Sequence, residues 1–154
     1  EFLLSVLANV IGDGIWYGLF LFFGILVIRG QNLVKKIRAG KTTLAPDGMR
    51  KVHEYSGDLY YSNAEGNLTN LTKSPEVMDF GPVWSPHGIW IAYTSRTSPV
   101  SYRVVDAVSK KVWTVGTTTE IPRLPEWEEN GDLRLDLGGA WMIVKKSEIA
   151  RKLQ

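Results

Sequence analysis

The stretch FGPVWSPHGIWIAYTS, Phe80 to Ser95, decides the fold. It contains a tight-turn signal, SPHG at 85–88, followed by the alternating run IWIAYTS. In a strand, Ile89, Ile91 and Tyr93 share one face, and Trp90 and Ala92 share the other. Both faces are apolar, which marks either an inner strand covered on both sides or a surface offered to another subunit or a ligand.

The turn returns on either side. APDG at 45–48 precedes SPHG by 40 residues, and EENG at 128–131 follows it by 43. Each opens an alternating run: MRKVHEY, IWIAYTS and DLRLDL. Between the turns lies a second phrase. GDLYYSNAEGNLTNLT reads as strand, turn and strand, and YRVVDAVSKKVWTV is its counterpart, with Asp106 answering Asn63 and Val115 answering Leu71. Pro82 and Trp84 recur as Pro125 and Trp127. A period near 40 filled by about four short strands is the pattern of a propeller blade.

These residues resemble the TolB-type β-propeller repeat, a relative of the Trp-Asp repeat. The likeness is tightest over Leu59 to Ser95, through Asn63-Ala64-Glu65-Gly66, Leu71-Thr72 and Pro82-Val83-Trp84-Ser85-Pro86. Ala45 to Glu54 fits the final strand of the phrase, and Tyr102 to Leu137 matches loosely. The resemblance implies an all-β domain over residues 44–144, amounting to about two blades, that binds partners or ligands rather than catalysing. The chain departs from the family where His87 and Asn130 replace the Asp before the turn glycine. It departs again where Ile89 and Trp90 stand in place of Lys or Arg. Propellers have about 4 to 8 blades, so two imply a ring of several chains, a different small β-fold, or part of a larger parent.

The chain has 154 residues, 44% of them hydrophobic and 22% charged, with a net charge of +2. That charge is too small to indicate binding of long nucleic acid. The absence of cysteine excludes disulfides and thiolate metal sites. Residues 2–28 are almost wholly apolar, long enough to cross a bilayer, which needs roughly 20 such residues. The expectation is therefore an N-terminal transmembrane α-helix (1–28), a basic juxtamembrane linker (29–43), the all-β repeat domain (44–144) and a basic C-terminal tail (145–154). Arg29, Lys35, Lys36, Arg38 and Lys41 place that tail and domain in the cytoplasm by the positive-inside rule. The expected protein is then single-pass in the inner membrane, with its N-terminus outside. The sequons at Asn67 and Asn70 are read as strand sequence. Asn9, Asp13, Gly14 and Gly18 are candidates for helix packing in a homo-oligomer, either as one face of a bundle or with residues 2–11 lying on the membrane.

No catalytic constellation, cofactor motif or metal set is visible. His53 and His87 are the only histidines, and His53 reads as structural within its strand. Two functions remain. One is a membrane-anchored, non-enzymatic module that binds a protein partner or acts as a scaffold subunit. The other is a signal-gated membrane effector whose layout is similar to bacterial antiviral effectors, sensing a small anionic ligand such as a cyclic oligonucleotide. His87, Trp90, Arg96, Arg103, Lys110 and Lys111 are its candidate ligand-binding residues: cations for phosphate and an aromatic face for a base. The alternative is that Arg96 to Lys111 are charges that keep loops and edge strands soluble.

Overall fold

The computed structural model describes residues 21–38, 40–74 and 76–154. A helix, α1, covers 21–38, and eleven strands follow: β1 (Lys41–Leu44), β2 (Lys51–Tyr55), β3 (Asp58–Ser62), β4 (Leu68–Asn70), β5 (Asp79–Trp84), β6 (Trp90–Ser95), β7 (Val100–Asp106), β8 (Val112–Thr118), β9 (Glu126–Trp127), β10 (Leu133–Asp136) and β11 (Trp141–Val144). A short helix, α2 (Lys146–Leu153), ends the chain.

The expected transmembrane helix and single-pass inner-membrane placement are corrected here. Among the described residues, no helix is long and apolar enough to cross a membrane. In α1 the apolar run ends at Ile28, and the same helix continues through Arg29, Gln31, Asn32, Lys35 and Lys36. Of the apolar run, residues 21–28 lie among those described, and these eight are fewer than the roughly 20 a bilayer requires. Residues 2–20, with Asn9, Asp13, Gly14 and Gly18, lie outside the described residues.

The β unit, Ile37–Gln154, is a series of antiparallel sheets. The first runs β1-β2-β3-β4, the second β5-β6-β7-β8, and the third, of three strands, β11-β10-β9. The unit thus has three successive sheets where the repeats predicted about two. The third is short because the chain turns into α2 after β11, and α2 packs on β7 and β8 of the second sheet. Its Ile149 and Leu153 enter the core there.

Each recurring turn joins the first two strands of a sheet. In all three, the glycine amide closes on the carbonyl three residues back: Gly48 on Ala45, Gly88 on Ser85 and Gly131 on Glu128. The glycines take φ of 71°, 64° and 90°, a region that side chains resist. The second phrase is likewise the hairpin between strands three and four. Asn63 Oδ1 accepts from the Asn67 amide at 2.8 Å, and Asp106 Oδ1 accepts from Val108 and Ser109. Lys110 holds the left-handed position that Gly66 holds in the first sheet.

The core lies between sheets, in two layers. Val52, Leu59 and Leu71 of the first sheet region meet Trp84, Ile91, Tyr93 and Val105 of the second. On the other side, Trp90, Ala92, Tyr102 and Val104 meet Leu133, Leu135, Val144 and α2. Every residue of β6 is buried. The two apolar faces of IWIAYTS are covered by this chain's own first and third sheets.

Candidate functional site

The repeat tryptophans tie neighbouring sheets together. Trp84 in β5 donates its indole N–H to the Thr43 carbonyl in β1, at 3.3 Å. Trp127 in β9 donates in the same way to the Val83 carbonyl in β5, at 3.0 Å. In the second and third sheets the residue at the end of the first strand is therefore a donor aimed at the preceding sheet's first strand.

The turn register brings the equivalent residues of the first sheet into line. Trp84 pairs with Ile91, and Leu44 pairs with Lys51. Leu44, Lys51 and His53 thus stand where the second sheet has Trp84, Ile91 and Tyr93. In the third sheet Trp127 pairs with Leu133, and Leu133 and Leu135 fill these positions. The second and third sheets bury them as core; the first carries an exposed Leu44, a lysine and a histidine.

Over this outer face of the first sheet opens a cleft of about 400 Å³, lined by Arg38, Thr42, Lys51, His53, Ser62 and the Asn63–Gly66 turn. Such a volume lies in the range of small-ligand sites. Arg38 donates to the Gly66 carbonyl at 2.8 Å, which holds the guanidinium on the turn. His53 is 3% exposed. Its Nδ1 lies 2.8 Å from Thr42 Oγ1, and Thr42 Oγ1 donates to the Gly40 carbonyl at 3.1 Å. The direction of the Thr42–His53 hydrogen bond follows the tautomer of the imidazole. Nε2 is buried and without a partner. Burial, followed by the charges of Lys51 and Arg38, holds the imidazole pKa below its ordinary value, so the ring stays neutral at pH 7.

The six residues expected to form a ligand site are dispersed by the second sheet. His87 lies in the β5–β6 turn and Lys110 and Lys111 in the β7–β8 turn, at one end of the sheet; Arg96 follows β6 at the other end. His87 Nε2 accepts from Lys146 Nζ at 2.6 Å. The turn does not need an Asp at position 87, because Ser85 Oγ accepts from the Ile89 and Trp90 amides, as Asp47 Oδ1 accepts from Met49 and Arg50 in the first turn. Trp90 is buried and stacked on Trp127, with ring centroids 6.3 Å apart, so its indole faces the third sheet. Arg96 lies over the Phe80 ring at 5.9 Å. Arg103, in β7, sits beside Tyr93, whose phenol burial pushes up to about 12. Lys111 Nζ donates to the Gln154 carbonyl at the end of α2. Among the described residues, no group of three or more His, Cys, Asp or Glu is placed to hold a metal ion.

Comparison with known proteins speaks to the fold. A protein assigned as TolB from Agrobacterium tumefaciens superposes with a TM-score of 0.51 at 24% identity, over 62% of this chain and 38% of its own. The domain is propeller-like. TolB from Acinetobacter baumannii (TM-score 0.45, 16% identity, 66% of this chain and 26% of its own) is a looser match. So is a protein assigned as a 6-phosphogluconolactonase from Bacteroides uniformis (TM-score 0.48, 18% identity, 70% of this chain and 36% of its own); nothing below rests on either. The chain thus spans well under half the length of each. No protein-family model and no curated protein sequence matches it. The propeller-like repeat is supported; the likeness in layout to antiviral membrane effectors is not.

Sequence reasoning treated His53 as structural and passed over Lys51. The signal lay in the repeat itself. Aligning MRKVHEY with IWIAYTS sets Lys51 and His53 against Ile91 and Tyr93, a polar pair in a core register.

Proposed function

We propose that the chain is a non-catalytic, propeller-type module that recognises a small ligand in the cleft of its first sheet. One observation carries this reading: Leu44, Lys51 and His53 occupy the positions that Trp84, Ile91 and Tyr93 fill as core in the next sheet. A face meant for another sheet would keep the indole donor and the two large core side chains. This one carries cations, a buried neutral imidazole and a cleft.

The test is native mass spectrometry of the full chain purified from cells or incubated with a metabolite extract. Ala64 is an exposed residue of the cleft wall, so Ala64→Trp fills the opening and leaves the core alone. The wild-type chain should retain a small molecule that Ala64→Trp loses. Equal retention by both, or none by either, overturns the reading.

A scaffold role with a protein partner is the second reading, supported by the outer face of the third sheet. Trp141 and Ile143 there are 43% and 51% exposed, with the Arg134 guanidinium 4.5 Å from the Trp141 ring centroid. Aromatic residues and arginine are the side chains that protein interfaces favour.

A further inference from the structure

A sheet edge exposes unpaired backbone N–H and C=O groups, and proteins guard such edges with charge, proline, bulges or short strands. Each sheet here has two edge strands, and all but β11 carry a guard. β1 opens on Lys41, β4 has three residues and β9 has two. β5 holds Pro82 inside a register shift between Phe80 and Val83. β8 follows Lys110 and Lys111 and is bulged against β7, where Tyr102 pairs with Gly116 but Arg103 with Thr114. β11 reads Trp-Met-Ile-Val, in unbroken register with β10 and without charge or proline.

β11 is also the third strand of its sheet, the place held by β3 and β7, and each of those pairs with a fourth. Among the described residues β11 pairs with β10 alone, and the chain turns into α2 at Lys146. The hairpin decides which backbone groups are free. The Leu137 amide donates to the Ala140 carbonyl at 2.9 Å, so the hydrogen-bonded pairs are Leu137–Ala140, Leu135–Met142 and Leu133–Val144. Trp141 and Ile143 therefore turn their N–H and C=O groups away from β10. Their side chains share the exposed outer face.

We propose that a second copy of this chain fills that edge, its β11 running antiparallel to the first about a two-fold axis at Met142. Trp141 of each copy then exchanges both backbone hydrogen bonds with Ile143 of the other, and Met142 faces Met142. The strand is its own complement. On the outer face the two Trp–Ile pairs make one patch of aromatic and β-branched side chains, a combination that stabilises cross-strand pairing. Arg134 of one copy, beside Ile143, and Asp136 of the other, beside Trp141, flank each pair, so opposite charges border the seam. Lys145 comes opposite Gly139 of the second copy, where the Gly138–Gly139 hairpin brings no side chain against the start of α2. The inference rests on the second reading above, that the outer face of the third sheet meets a protein, and stands apart from the cleft.

The chain has no cysteine, so one introduced thiol can link only two copies. In this register Met142 opposes itself in a non-hydrogen-bonded pair, with Cα atoms about 4.5 Å apart and within disulfide reach. Ala140 opposes Val144 instead, which leaves the two Ala140 Cα atoms beyond the limit of about 7 Å. Mild oxidation of the full chain carrying Met142→Cys should give mostly covalent dimer on non-reducing gels, and Ala140→Cys mostly monomer. In sedimentation velocity the wild type should be dimeric, and Ile143→Lys, a charge set into the seam, should raise the dissociation constant about ten-fold or more. That variant changes an exposed side chain, so it reads the edge even where Met142→Cys folds poorly. Cross-linking of a folded Met142→Cys chain no better than that of Ala140→Cys, or a dimer unmoved by Ile143→Lys, overturns the inference. A wild type that stays monomeric overturns it too, while leaving the outer face to a different protein.

Discussion

Trp84 and Trp127 do the same work in different sheets, and each does two things. The ring fills core, and the indole N–H reaches across to a backbone carbonyl of the preceding sheet. The two contributions can be separated. Trp84→Phe and Trp127→Phe keep most of the apolar surface and lose the donor, so each should lower unfolding free energy by about 1 kcal/mol in urea titrations. Trp84→Ala also leaves a cavity and should cost roughly 3–5 kcal/mol. Trp90→Ala belongs with it, because Trp90 is buried and stacked on Trp127 rather than turned outward. The spacing of Pro-x-Trp made the equivalence of Trp84 and Trp127 legible in the sequence. Their acceptors were not legible, since a carbonyl belongs to every residue and leaves no mark. Trp90 misled for a related reason: alternation shows that two faces are apolar, not what covers each.

At the level of the element, β2 and β6 are one strand written twice. β6 is buried along its whole length; β2 replaces the isoleucine and tyrosine of that face with Lys51 and His53. The propeller-type repeat was readable from the turns, because glycine at positive φ and a side-chain cap are local requirements. The cleft was not, because it arises from a deviation between repeats rather than from a motif. His53 gives β2 a signature in pH. Its folded pKa lies below the ordinary value, with burial as the main cause and Lys51 and Arg38 adding to it. The unfolded chain therefore takes up the proton first, near its ordinary pKa of about 6.5. Stability is full above that pH and declines as pH falls from there through the folded value. Thermal unfolding of the wild type should weaken between pH 7 and pH 5, and His53→Gln should show a flatter profile over the same window. Identical slopes would remove His53 as a titrating group of the fold.

At the scale of the molecule, the three sheets stack in order, each joined to the next by a tryptophan. The ring of copies expected from the sequence would have to close the first sheet of one chain on the third sheet of another. Two copies would supply six sheets, within the usual range for propellers. Leu44 cannot donate to the Glu126 carbonyl, which is next in the series after Thr43 and Val83, and the exposed Lys51 ammonium resists being buried there. We predict that restoring the repeat, with Leu44→Trp, Lys51→Ile and His53→Tyr together, increases self-association in sedimentation velocity over the wild type. No increase would show that these three positions do not govern closure. The same stacking bears on how the fold is lost. The two core layers meet only across the second sheet, on opposite faces of β6. Either outer sheet can peel away at the cost of one layer, but the middle sheet cannot open without losing both. Cooperativity in the β unit is thus a property of its middle sheet, and unfolding enters from the outer two.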